Sequence, residues 1–232
     1  MSSMEGILLW NTLSSTADIE NSRVGEDGEN LKDSPAYAKV KFENGATIPK
    51  TQSVALKDIV FNKAKASALQ LPAEGSLSYT IKPNGWSLTN TTTSDGAIHR
   101  LSFFGTVAPY SGIQVNAGGL NYNVFDGTNN RTETITDQTL GDGVENLISI
   151  AWSSASNLVR FYLNAVQIGS ADGTLSITPG NQWLCIGNRY WSDSNAKGFG
   201  GEIENVKLYN TYETDFSNDL NHRGFGGGKK RR

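Results

Sequence analysis

Apolar and polar positions alternate most regularly in the last third of the chain. The run 147–152 (LISIAW) predicts a strand and 153–157 a polar loop. The run 158–163 (LVRFYL) predicts a second strand, with Val159, Phe161 and Leu163 on one face and Arg160 and Tyr162 on the other. A turn at Asn164-Ala165 leads into a strand at 166–168, and further strands follow at 183–187 and 203–209. In the last of these, Ile203 is out of phase with Val206 and Leu208, which predicts a β-bulge near Glu204 and Asn205.

Upstream the pattern is shorter but of the same kind. Alternation at 37–42 (YAKVKF) ends in a turn signal at 43–45 (ENG), and alternation at 77–81 (LSYTI) ends in another at 83–85 (PNG). Short apolar runs at 100–104, 112–115 and 120–125 are separated by Gly and Asn, and 7–10 (ILLW) is a further apolar run before a polar stretch reaching about Pro35. Residues 54–71 fit a helix or two short strands; missing helix caps and Gly-rich surroundings favour strands. A βαβ protein would place long helical segments between strands, whereas this spacing predicts an all-β antiparallel sandwich with no helix beyond about two turns.

Composition supports a single folded unit. The chain has 232 residues, 37% hydrophobic and 9% aromatic, with 25 glycines against six prolines, which suits a sizeable core and many tight turns. The N-terminus lacks a basic region and an apolar run long enough for a signal peptide, so none is expected, and no stretch is apolar enough for a membrane span. The lone Cys185 cannot form an internal disulfide and reads as a small buried hydrophobe. Charge is uneven: removing Lys229, Lys230, Arg231 and Arg232 from the formal net charge of −3 leaves −7 on residues 1–228. Such a body repels nucleic acid, while the basic tail attracts acidic surfaces. The expected organisation is one domain over 1–222 and a Gly-rich basic tail over 223–232.

The order of motifs in the last third resembles the laminin-G-like, concanavalin-A-like jelly-roll family. Members carry a strand like Ile150-Ala151-Trp152, a hairpin of the form Y-x-N-G-x-x-x-G, an I-G-N strand and a closing F-x-G-x-I-x-x-V-x-x-Y strand. These correspond to Tyr162, Asn164 and Gly169, to Ile186, Gly187 and Asn188, and to Phe199, Gly201, Ile203, Val206 and Tyr209. The resemblance spans roughly residues 37–212 and implies a jelly-roll β-sandwich of two antiparallel sheets. One departure is Ala165 where the hairpin glycine belongs. A type I′ turn wants φ > 0 there, at a cost to Ala of about 1 kcal/mol, so either the loop is of another type or the fold tolerates the strain.

The same resemblance admits lectins, glucanases, polysaccharide lyases and assembly domains, so residues must decide. Retaining glucanases need two carboxylates, which positions i and i+2 of a strand supply. Glu202 and Glu204 begin such a run, but Lys207 stands where a third acid belongs, and the pair reads as a solvated polar edge. The lyase pattern is represented only by fragments at Ile98-His99 and Arg131–Thr134, without its tyrosine motif. Glycan binding fits better: Tyr190 and Trp191 lie in a polar loop with Asp193 and Asn195, offering stacking faces beside hydrogen-bonding groups. No cofactor is expected, although Asp193, Asn195 or Asp126 could supply hard oxygen ligands to Ca²⁺. The expected function is a non-catalytic binding or assembly module of a phage or virus particle (decoration, fibre or tail). Its expected partners are other structural proteins and cell-surface glycans, with Lys229–Arg232 as an assembly tail. The location is the particle surface, or otherwise the cytoplasm. The alternative is a carbohydrate-active enzyme on the same fold.

Overall fold

The computed structural model describes residues 6–13, 15, 22–23, 28–30, 41–42, 45–48, 59–61, 72–84, 99–104, 110–116, 119–125, 130–135, 143–172, 184–186 and 201–221. In chain order the strands are β1 (Ile7–Asn11), β2 (Gly28–Asn30), β3 (Lys41–Phe42), β4 (Ala46–Ile48), β5 (Ile59–Phe61), β6 (Glu74–Pro83), β7 (His99–Phe104) and β8 (Tyr110–Asn116). They continue with β9 (Gly119–Phe125), β10 (Asn130–Ile135), β11 (Asn146–Ser153), β12 (Leu158–Leu163), β13 (Val166–Asp172), β14 (Leu184–Ile186) and β15 (Gly201–Tyr209). A short helix, α1 (Ser217–Asn221), follows.

These strands form the two expected sheets. One runs β13-β12-β11-β6-β15-β4-β3, with β1 also on β15; the other runs β10-β9-β8-β7-β14-β5-β2. Every strand pairing is antiparallel. Period-two alternation explains the core: Leu77, Tyr79, Ile81, Ile148, Ile150, Trp152, Val159, Phe161, Ile203 and Leu208 are buried, as are Leu184 and Ile186 of the second sheet. Trp152 sits opposite Gly75 across β11 and β6, and its indole N–H donates to the Pro72 carbonyl at 3.0 Å. A Cβ at residue 75 would lie 2.4 Å from the indole. Gly75→Ala is therefore expected to cost about 1–3 kcal/mol by overpacking, read as a lower midpoint in chemical denaturation.

The bulge forms where the phase break predicts it. The register of β15 against β6 shifts between Glu204 and Lys207, and Asn205 adopts φ 52°. It also divides the far edge of β15: residues before it pair with β4 and those after it with β1. The β12–β13 hairpin answers the question left by Ala165. Asn164 and Ala165 adopt φ 52° and 65°, so the fold tolerates alanine in the left-handed region. Asn164 offsets this by tying the hairpin to β11: its Oδ1 accepts from Leu147 N at 3.0 Å and its Nδ2 donates to Asn146 Oδ1 at 3.0 Å. Ala165→Gly is expected to stabilise the protein by about 1 kcal/mol in urea unfolding.

One layer goes beyond the expected sandwich. The outward positions of β6 and β11 are mostly small: Ser76, Ser78, Ser149, Ala151 and Ser153, all buried. That low surface accommodates the segment 210–221, which packs Phe216 against Leu147, Ala151 and Tyr162, with Tyr212 and Leu220 alongside. The Tyr162 and Phe216 ring centroids are 4.9 Å apart. Consequently β11 is buried on both faces, and Tyr162, read from the sequence as lying on the polar face, is buried too.

Candidate functional site

The carboxylate pair raised by the sequence lies on β15, a central strand, so the expectation of a solvated polar edge is corrected. Glu202 stands opposite Thr47 of β4 and Lys82 of β6; Glu204 stands opposite Thr80. Glu204 is only 5% exposed. Gly45 packs against it: at φ 116°, its Cβ position lies 3.0 Å from the Glu204 Cβ and 2.9 Å from the Ile203 carbonyl oxygen. Only glycine fits that approach. Glu202 is half-buried, and its Oε2 has no hydrogen-bond partner among the described residues. A nucleophile must meet its substrate, and Glu204 is withheld from solvent.

The next outward position on β15 belongs to a buried polar clasp. Lys207 Nζ donates to Asp219 Oδ1 at 2.5 Å, and Ser78 Oγ donates to Asp219 Oδ2 at 2.5 Å. Tyr209 OH reaches both carboxylate oxygens, at 2.8 and 2.9 Å. Lys207 and Asp219 are 7% and 8% exposed. Burial first, and then the neighbouring Asp219 charge, raise the Tyr209 phenol well above its ordinary pKa, so it stays a donor. Local chemistry prepares the helix that presents Asp219: Asp215 Oδ1 accepts from Ser217 N at 2.9 Å, a contact that lowers the Asp215 pKa. Ser76 adds a staple, donating to the Thr211 carbonyl at 2.7 Å and accepting from Glu213 N at 2.8 Å. Beside the segment, Arg160 lies over the Tyr212 ring at 5.6 Å. The clasp is buried and both Asp219 oxygens accept hydrogen bonds, which makes it a fastening of the covering segment.

Of the residues singled out for binding, Tyr190, Trp191, Asp193 and Asn195 lie outside the described residues, as do Asp126 and the tail Lys229, Lys230, Arg231 and Arg232. Upstream of the 190–195 loop the last described residue is Ile186 of β14, which pairs with Ser102 of β7. His99 stands opposite Val115. Cys185 occupies the middle of β14, between Val60 and Phe103. Among the described residues no three His, Cys, Asp or Glu side chains converge on a metal position, and no helix is long and apolar enough to cross a membrane.

A family model of the laminin G type, described as the concanavalin A-like lectin/glucanases superfamily, matches residues 61–215. The chain belongs to this superfamily. The two sheets are its jelly-roll sandwich, and the motifs at 162–169, 186–188 and 199–209 fall within the matched span. Phe216 and Asp219, which fasten the covering segment, lie just beyond it.

Solved structures agree in fold. Domain 4 of an extracellular arabinanase from Geobacillus stearothermophilus, in complex with arabinotriose, aligns with a TM-score of 0.56 at 16% identity over 93% of this chain and 98% of that one. The receptor binding domain of botulinum neurotoxin mosaic serotype C/D aligns at 0.62 and 12% identity over 93% of this chain. The binding domain of Paraclostridial Mosquitocidal Protein 1 aligns at 0.59 and 10% identity, also over 93% of this chain. This chain spans about half the length of the two toxin domains, 50% and 51% respectively. No curated protein matches the chain in sequence.

Proposed function

We propose that this chain is a non-catalytic binding and assembly module that holds glycans on a jelly-roll sandwich. The observation that carries the reading is the burial of Glu204 with Gly45 packed close against it, which sets the Glu202–Glu204 pair of β15 apart from substrate. Support comes from the company of the fold. The arabinanase domain, which aligns over 93% of this chain, was solved with arabinotriose, and the two toxin segments are named as binding domains. The loop carrying Tyr190, Trp191, Asp193 and Asn195 supplies aromatic faces and polar groups suited to sugar rings and hydroxyls.

The finer reading is that the module belongs to the surface of a phage or virus particle, as a decoration, fibre or tail protein. Residues 1–222 form its one domain, and residues 223–232 anchor it through Lys229, Lys230, Arg231 and Arg232. A four-cation tail is attracted to acidic surfaces, whether an acidic partner subunit or the −7 body of a second copy. Deleting residues 224–232 is the test: the truncated chain should fold and bind glycan but fail to enter the assembly. Incorporation at the wild-type level would remove the anchor. For the binding reading, full-length protein on a glycan array should retain at least one saccharide, and Tyr190→Ala with Trp191→Ala should weaken that retention.

A further inference from the structure

On the covered face of the first sheet, Trp10, Lys207, Ser78, Ser149, Tyr162 and Gln167 stand opposite one another in turn, across β1, β15, β6, β11, β12 and β13. Asp219 satisfies the middle of this row, accepting from Lys207 and Ser78. To either side the row is different. Trp10 Nε1, Ser149 Oγ and Tyr162 OH are buried and meet no protein partner, and the same holds for Tyr212 OH of the covering segment. Among the described residues, the one other buried side-chain atom in that position is Glu202 Oε2. Native structures pair nearly all buried polar atoms with protein groups or ordered water, so orphans gathered in one row call for the second kind of partner.

Ser149 and Tyr162 are 1% and 2% exposed and face each other across β11 and β12. Phe216 packs against Leu147 and Ala151, the two residues that flank Ser149 on that face, and against Tyr162 itself. Tyr212 approaches from the segment. Burial raises its phenol pKa, Arg160 opposes the rise and the Tyr162 phenol adds to it, which puts the two phenols near each other.

We infer that this part of the row is a buried water site, in which one water bridges Ser149 Oγ and Tyr162 OH beneath the covering segment, with Tyr212 OH as a third partner. Hydroxyls both donate and accept, so three of them supply the roughly three hydrogen bonds that a buried water makes. An ion fits poorly. The row holds no charged side chain except Lys207, and Asp219 already neutralises it. The covering segment then has two kinds of seat: Asp219 fastens it by charge, whereas beside Phe216 it rests on a hydrated spot of the sheet. The site is independent of what the module binds.

The test is a high-resolution crystal structure of the full chain together with magnetic relaxation dispersion of the water oxygen, which registers long-lived internal water without interference from hydroxyl protons. The expected result is one water oxygen within about 2.7–3.2 Å of both Ser149 Oγ and Tyr162 OH. Ser149→Ala combined with Tyr162→Phe should remove a long-lived water from the dispersion. Each substitution alone should lower the folding equilibrium constant roughly tenfold, and the two together by less than the product, because they share one bridge. A direct bond between the two hydroxyls, or hydroxyls with no water between them, overturns the inference. So does an unchanged dispersion in the double variant, or a single substitution that raises stability, as loss of a truly unpartnered hydroxyl would. The wild-type crystal structure decides the matter even where a variant folds poorly.

Discussion

Replacing Asp219 with alanine is expected to destabilise the protein by about 3–5 kcal/mol. The substitution leaves Lys207 buried at 7% exposure with its carboxylate partner gone, and it strips Ser78 and Tyr209 of the acceptor each donates to. An unpaired buried cation loses its hydration without compensation, and that loss dominates over the modest net worth of the pair itself. The pair can be separated from the space it fills. Asp219→Leu combined with Lys207→Met should recover most of the stability, because apolar groups of similar volume in a buried position remove both charges together. Equilibrium denaturation of the single and double variants checks this. A single-variant loss below about 1 kcal/mol would show that the clasp is solvated like a surface ion pair.

Replacing Phe216 with alanine is expected to cost a similar amount, about 3–5 kcal/mol, for a different reason. Phe216 is 2% exposed and fills the hollow over Leu147, Ala151 and Tyr162. Its removal opens a cavity whose walls belong to sheet strands held in register on both sides, so little collapse is possible. Because Asp219 and Phe216 hold the same segment, the double variant should lose less than the sum of the two. Hydrogen exchange would locate the effect: in either variant, amides of α1 and of residues 210–216 should lose protection before those of β11.

Much of the sandwich is legible in the sequence because its strands alternate. The runs at 77–81, 147–152 and 158–163 lie within β6, β11 and β12, and the phase break at Ile203 marks the bulge in β15. Two of the strands that escape notice are polar. β10 (Asn130–Ile135) carries Arg131, Thr132, Glu133 and Thr134, whose periodicity an apolar pattern cannot reveal, and β2 hides in a run of Gly, Glu and Asp. The covering segment escapes for another reason. Ser76, Ser78, Ser149 and Ser153 look like solvent-facing positions, yet here their small size is what lets Phe216 and α1 settle on the sheet. Glu202 and Glu204 mislead for a different reason: two acids flanking an isoleucine suggest a wet edge, and strand order, which no single segment contains, puts them in the middle of the sheet. The loop at 190–195 was singled out on chemistry alone, and its part in binding rests on the proposal above.

The most direct test of the central claim, a glycan-binding module without turnover, is incubation of the full-length protein with a panel of polysaccharides, scoring retention and product together. The account predicts that at least one polysaccharide is retained while neither new reducing ends nor unsaturated products form. Product formation that Glu204→Gln abolishes would contradict it.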